Sequence, residues 1–350
     1  MSRLNIAYIV PSLSNRGPIK VVYELVTQLE QSHTIEIFYF DENKELDFSV
    51  PAHHISFFSA INFDKFDIIH SHGIRPDAYL FFHHHKIKKA KSVTTLHNYV
   101  KMDLRYQYNS FISFVFSRVW NIFTSRHDQI IVLSEDAKRY YLKFWRNKVI
   151  DFVYNGISED VEAAQLEHSV KDQLAKLKKE FTVIGAIGML TKIKGFDQII
   201  KALPALPKHI LVIIGDGKEA ETLQNLSRSL DVSDRVIFFG FQSNIPAILD
   251  ELDIVVIPSR SEGFSLVIQE TARQHKPVVC SSIPIFHELF SPNEVQFFDL
   301  EDIDSLRSAI ENISNNSDDF SDNLHRRFLS DYTSGTMASR YLGIYRKLLK

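Results

Sequence analysis

Short apolar runs recur along almost the whole chain, and stretches of helical period separate them. Ile6–Val10 precedes an amphipathic pattern over Ile19–Leu29, and Thr34–Phe40, Ile68–His72, Ser92–Leu96, Gln129–Leu133 and Val149–Val153 continue the series. A strand that is apolar on both faces must be covered on both faces. Helices between such strands supply that cover, which predicts βαβ units and a parallel sheet. The polar stretch Ser158–Glu180 interrupts the alternation and ends in Lys176, Lys178 and Lys179; residues 161–180 are read as a linker with some helix. The alternation then restarts. Phe181–Ile187, Ile210–Ile214, Arg235–Phe239, Asp253–Ile257 and Pro277–Cys280 read as strands, and Gly195–Leu206, Glu219–Leu230 and Ser265–Gln274 as helices. The last 50 residues look helical, with a polar turn at Ser314–Asp319. This predicts two doubly wound α/β domains, residues 1–160 and 181–332, facing each other across a cleft. The C-terminal helix, about 333–350, is expected to pack back on the first. Ligands of such sheets bind beyond the carboxyl ends of the strands.

Composition removes several function classes. At roughly 100–200 residues per domain, a 350-residue chain fits two domains. Forty Lys+Arg against 43 Asp+Glu give a net charge of −3, which argues against a nucleic-acid partner held mainly by charge. A single cysteine, Cys280, excludes an internal disulfide framework and a Cys-rich zinc site. Ile6–Val10 is too short for a signal-peptide core, and no apolar run reaches a membrane-spanning length. The expectation is a cytoplasmic protein, with peripheral contact at the inner face of the plasma membrane left open.

Four loops carry the candidate chemistry. The turn Pro11–Pro18 follows the first strand and holds Gly17 at the start of a helix, where backbone N–H groups can meet an anion. Gly188–Gly195 holds Lys192 and Lys194 beyond a strand end, within reach of a phosphate. Gly215 and Gly217 flank Asp216 at a third strand end and permit a sharp turn and close ligand approach. In Pro258–Glu270, Glu262 and Glu270 stand eight positions apart. Gly263, Phe264, Ser265 and Leu266 lie between them where a helix begins, and the unpaired N–H groups of a helix start suit an anion.

The segment Glu262–Glu270 resembles the E-x7-E motif of retaining glycosyltransferases of the GT-B fold, family 4. Gly188–Gly195 resembles that family's G-R-L-x-x-x-K-G loop, Gly215–Gly217 its G-x-G turn and Val236–Gly240 its V-x-F-x-G strand. Gly17, Ile69–Gly73, Thr95–Asn98 and Val153–Ile157 fall where the family places donor- and acceptor-facing loops and the end of its N-terminal domain. The resemblance covers nearly the whole chain. It implies an acceptor-binding first domain and a nucleotide-sugar-binding second domain. Glu270 would hold ribose hydroxyls, Glu262 the transferred sugar or its diphosphate, and Lys194 the diphosphate. His97 would face the sugar, and Arg235–Phe241, with Phe239 and Gly240, would line the base pocket. His72, Asn98, Tyr154 and Asn155 are acceptor-side candidates. The co-substrate implied is a nucleotide sugar, taken as a UDP-sugar, with no cofactor and no metal required. The acceptor implied is a glycan or undecaprenyl-diphosphate-linked sugar in lipopolysaccharide or capsule assembly. A nucleotide-sugar epimerase of related fold and a non-catalytic nucleotide-sugar-binding partner are the alternatives. Met189 stands where the family has arginine, and Lys192 is the candidate second cation.

Histidine usage is uneven, with ten of the 15 in the first 160 residues. His83, His84 and His85 point about 100° apart on a helix and cannot jointly hold a metal; with the neighbouring lysines they read as an exposed basic helix end. His70 and His72 share one strand face, in either a core or a ligand role. Phe111–Phe123 reads as a helix packed under the first sheet or, alternatively, as a membrane-facing patch.

Overall fold

The computed structural model describes residues 3–100, 110–145, 148–160, 168–242 and 244–350. It divides into two units, Met1–Ser158 with Asp331–Lys350, and Glu159–Ser330.

The first unit is built on a seven-stranded parallel sheet of order β3-β2-β1-β4-β5-β6-β7. Its strands are β1 (Asn5–Val10), β2 (Thr34–Tyr39), β3 (Ala52–His54), β4 (Ile68–His72), β5 (Lys91–Leu96), β6 (Gln129–Val132) and β7 (Ile150–Phe152). The helices between them are α1 (Gly17–Leu29), α2 (Ile74–His83), α3 (Ser110–Phe123) and α4 (Glu135–Leu142). β4 is buried along its whole length, its polar residues His70, Ser71 and His72 included. β3 is the exception: Ala52, His53 and His54 are all exposed, so this edge strand carries no apolar run by which to recognise it.

The second unit has a six-stranded parallel sheet of order β10-β9-β8-β11-β12-β13. Its strands are β8 (Thr182–Ile187), β9 (His209–Ile214), β10 (Val236–Gly240), β11 (Ile254–Ile257), β12 (Val278–Ser281) and β13 (Gln296–Phe298). Its helices are α5 (His168–Leu177), α6 (Phe196–Ala202), α7 (Ala220–Ser229), α8 (Ile245–Asp250), α9 (Leu266–Arg273), α10 (Pro284–Leu289), α11 (Ile303–Asn315) and α12 (Ser317–Asp331). α13 (Ser334–Leu348) closes the chain within the first unit.

Three sequence expectations change. The segment read as a linker with some helix over 161–180 does carry a helix, α5, but its Leu174 is fully buried and the segment groups with the second unit; residues 161–167 lie outside the described residues. The helix expected over Gly195–Leu206 stops at Ala202 and continues only as a 3-10 turn over Leu203–Ala205. Leu203 keeps α geometry, but Pro204 has no N–H with which to continue the i→i−4 ladder. The helix α3 is not packed under the sheet along its length. Phe116 and Trp120 pack inward, whereas Phe111, Ile112, Phe114, Val115, Val119 and Ile122 are exposed, Phe111 to 75%.

In both sheets the chain reverses its direction of progress at one point, between β1 and β4 and between β8 and β11. The connections on either side of such a reversal depart in opposite directions and leave an open crevice at the carboxyl strand ends. The loops after β1, β4, β8 and β11 therefore hold the positions where a ligand can approach backbone.

Candidate functional site

In the second unit the site begins with two loops packed backbone to backbone. Gly188, after β8, donates its N–H to Ile214 O at 2.9 Å, and Leu190 N donates to Asp216 O at 2.9 Å. A Cβ on Gly215 would lie 2.0 Å from Gly188 O, and one on Gly217 2.5 Å from Leu190 O. The spacing of these glycines thus answers a loop-to-loop approach, not only the sharp turn and ligand approach that the sequence suggested. Gly240 ties the third strand end in, accepting from Gly215 N at 2.8 Å. Phe239 precedes it on the edge strand and its carbonyl accepts from Gln242 Nε2 at 3.0 Å.

Lys192 and Lys194 lie on a 3-10 turn that ends at Gly195, whose φ is +70°. A Cβ there would lie 2.0 Å from Pro258 O, so the lysine turn is seated directly on the end of β11. Lys194 Nζ donates to Glu262 Oε1 at 2.5 Å, and Ser259 Oγ donates to the same oxygen at 2.7 Å. Glu262 is buried. Its carboxylate is thereby held at the strand end with one oxygen fully engaged. Gly263 and Phe264 follow, and Ser265 is the N-cap of α9 with extended backbone and no capping bond from its side chain. The first N–H groups of a helix have no intrahelical acceptor. From Leu266 onward this turn presents unpaired donors and the positive end of the helix dipole to an anion. Glu270, on the second turn of α9, is half-buried.

Arg260 fixes the geometry, and the sequence did not flag it. Its guanidinium pairs with both oxygens of Asp197 at 2.9 and 3.0 Å, donates to Lys192 O at 2.5 Å and contacts Glu301, while its own N–H donates to Ile193 O at 2.7 Å. Burial alone raises the Asp197 carboxyl, but hydrogen bonds from Arg260 and Lys201 outweigh it and hold the pKa below the usual carboxylate value. The only sequence signal was an arginine two residues before Glu262; its partners lie far away along the chain. Arg235, expected to line a base pocket, instead donates to the carbonyls of Leu203, Leu206 and His209 at the opposite end of β10.

In the first unit, His72 closes β4 and is buried, with its Nδ1 2.8 Å from His97 Nε2. His97 follows β5, is partly exposed, and is pushed down to about 4 by burial, against the opposing charge of Asp77. Neutral imidazole is thus its form near pH 7. Asn98 is exposed, and its carbonyl accepts from Tyr141 Oη at 2.6 Å. Gly17 is the exposed first residue of α1, whose N-cap, Arg16, makes no side-chain capping bond. Tyr154 and Asn155 lie elsewhere, in the turn that meets α13. The Tyr154 ring packs near Tyr332 and Arg340, and Asn155 is buried beside Gly156, where a Cβ would lie 2.1 Å from Thr333 O. His83 ends α2, stacked on Tyr79, and His84 and His85 follow in a 3-10 turn. Among the described residues no group of His, Cys, Asp or Glu has the arrangement of a metal site.

Residues 169–328 match the family model of glycosyl transferases group 1, and residues 16–161 that of glycosyltransferase family 4. The O-antigen biosynthesis glycosyltransferase WclY of Escherichia coli is 33% identical over 99% of both chains. Among solved structures, sucrose-phosphate synthase of Thermosynechococcus elongatus superposes with a TM-score of 0.80 at 18% identity, over 99% of both chains. HepE of Anabaena, in complex with UDP-glucose, gives 0.81 at 16% identity, over 99% of this chain and 100% of that one.

Proposed function

Because the chain belongs to the GT-B-fold glycosyltransferases of family 4, we propose that it is a retaining, metal-independent α-glycosyltransferase. It moves a hexose or N-acetylhexosamine from a UDP-sugar to a glycan or undecaprenyl-diphosphate-linked acceptor. The context is assembly of a bacterial surface polysaccharide, O-antigen or capsule, on the cytoplasmic side of the membrane. The observation that carries this reading is the Lys194–Glu262 pair beside the open start of α9, at the reversal point of the second sheet. Loss of a nucleoside diphosphate develops negative charge on the leaving phosphate. Fixed donors aimed at that charge are worth more than mobile ones, because they need no reorganisation as it forms. Lys194, held by Glu262, and the N–H groups after Gly263 supply such donors, Lys192 adds an exposed cation, and Glu270 accepts from the ribose hydroxyls. His97, neutral near pH 7, is proposed to face the transferred sugar.

In this reading the acceptor hydroxyl attacks the anomeric carbon on the face that the phosphate leaves. The C1–O bond to phosphate breaks as the C1–O bond to the acceptor forms, and the hydroxyl proton passes to the departing phosphate oxygen. Glu262 acts on the donor and is not a nucleophile. The uracil base is proposed from the UDP complexes of HepE, and the pathway from the name of the E. coli relative. Contact with a lipid surface is supported by the exposed apolar face of α3 and the exposed Arg118, Lys86, Lys88 and Lys89.

The test is turnover of purified protein on UDP-, GDP- and ADP-sugars with a lipid-diphosphate-linked sugar as acceptor, in EDTA. Transfer selective for one UDP-sugar, persisting in EDTA, giving an α-linked product and lost in Lys194→Ala, is the expected result. Binding of nucleotide without turnover on any pair would instead favour a non-catalytic partner, the alternative that Met189 suggests.

A further inference from the structure

Three imidazoles stand in a row in the first unit. His70 and His72 leave the same face of β4 with ring centroids 4.3 Å apart, and the His97 ring lies 5.1 Å beyond His72. Both nitrogens of His70 are engaged: Nδ1 is 2.6 Å from Tyr345 Oη and Nε2 is 2.8 Å from Thr95 Oγ1. His72 differs. Its Nδ1 faces His97 Nε2 at 2.8 Å, while its own Nε2 is buried and has no hydrogen-bond partner among the described residues.

This asymmetry decides where the protons are. Burial, and then the neighbouring imidazoles His70 and His97, push His72 well below the ordinary histidine value, so the ring is neutral and carries one N–H. If His97 donated to His72, the His72 proton would sit on Nε2, a buried donor with no acceptor. If His72 donates from Nδ1, Nε2 keeps only a bare lone pair. Orphaned buried N–H groups are rarer than under-satisfied acceptors, which selects the second arrangement.

We propose that His72 is the positioning residue of His97: it donates from Nδ1 to His97 Nε2 and thereby fixes His97 as the Nδ1–H tautomer. With Nε2 occupied, Nδ1–H is the one hydrogen-bonding group His97 has left, and among the described residues it meets no acceptor. His97 therefore offers a directed donor to an oxygen of the transferred sugar and cannot accept from that sugar's hydroxyl. His72, expected on the acceptor side from sequence, acts instead from behind His97. This rests on the reading above that His97 faces the sugar; the tautomer itself does not.

The experiment is long-range ¹H–¹⁵N correlation on ¹⁵N-histidine protein, read together with steady-state kinetics, for the parent, His72→Asn and His72→Leu. The expected spectrum shows His97 protonated on Nδ1 in the parent and in His72→Asn, whose amide N–H replaces the lost donor. In His72→Leu, His97 moves to the Nε2–H form. Turnover falls in His72→Leu by about tenfold, the scale of one lost hydrogen bond, with the donor KM little changed, and His72→Asn recovers most of it. An Nε2–H tautomer in the parent, or an Nδ1–H signal unaffected by leucine, overturns the proposal. Should the leucine variant not fold, the parent spectrum and the asparagine variant still decide it. Parental turnover in His97→Ala would overturn the sugar-facing reading of His97, and the tautomer response would then show that the pairing stands without it.

Discussion

Met189 occupies a position where the pattern this chain resembles has arginine, and its side chain is 58% exposed. Lys194 is already committed to Glu262, whereas Lys192 is exposed and makes no ion pair among the described residues. A diphosphate at this loop therefore meets Lys192 as an uncommitted cation and Lys194 as one shared with a carboxylate. Lys192→Ala is expected to weaken UDP binding about tenfold, the scale of one charge-assisted hydrogen bond. Met189→Arg in that background is expected to restore it, because an exposed position accepts arginine at little cost in stability. Calorimetric titration with UDP checks both. Undiminished binding in Lys192→Ala would remove that lysine from the donor site.

At the scale of elements, the site is a set of loops held by each other's backbone. Gly215→Ala places a Cβ 2.0 Å from Gly188 O at a φ of +137°, and should cost on the order of 3 kcal/mol. Gly240→Ala has a φ of +66° with nothing among the described residues within 4 Å, and should cost only about 1 kcal/mol. Urea unfolding followed by far-UV circular dichroism separates the two, and equal costs would refute the packing argument. Both glycines were visible in the sequence, but the reason for Gly215 was not, since it lies in a contact between two loops. The same holds for Arg260, whose partner Asp197 is 63 positions away. Inner strands such as β1, β8, β9 and β11 were legible because burial on both faces leaves an apolar run. β3, whose three residues are all exposed, and the three-residue edge β13 were not, although the equally short edge β7 was. Helix α3 was legible as a helix, but its apolar periodicity did not say which face meets the protein. Phe111→Ser with Phe114→Ser should lower sedimentation with anionic vesicles about tenfold and leave the unfolding midpoint nearly unchanged, as both side chains are exposed. Equal sedimentation of parent and variant would dismiss this face as a lipid contact.

The whole molecule returns its last helix to its first unit, and that return is polar at its centre. Tyr345 joins His70 at 2.6 Å and Tyr8 at 3.2 Å, and Tyr341 joins Thr95 at 3.2 Å, all fully buried. The chain ends of one sheet unit are thus tied through a neutral histidine. Burial first, and then the neighbouring imidazoles, hold both His70 and His72 well below 6.5 in the folded state. An unfolded chain protonates both near pH 6.5, and with them His97, whose folded value is about 4, so from that pH down toward pH 5 the unfolded state binds at least three more protons. Stability must then fall as pH falls, by roughly 1.4 kcal/mol per proton per pH unit once the unfolded rings are fully charged. Both tryptophans of the chain, Trp120 and Trp145, lie in this unit, so tryptophan fluorescence reports its unfolding alone. The urea midpoint read by that signal should drop steadily from pH 7 to pH 5, and the slope should lessen by one proton in His72→Asn. A midpoint that is level across this range would mean that the folded unit takes up these protons without cost, and that the buried row is not held neutral.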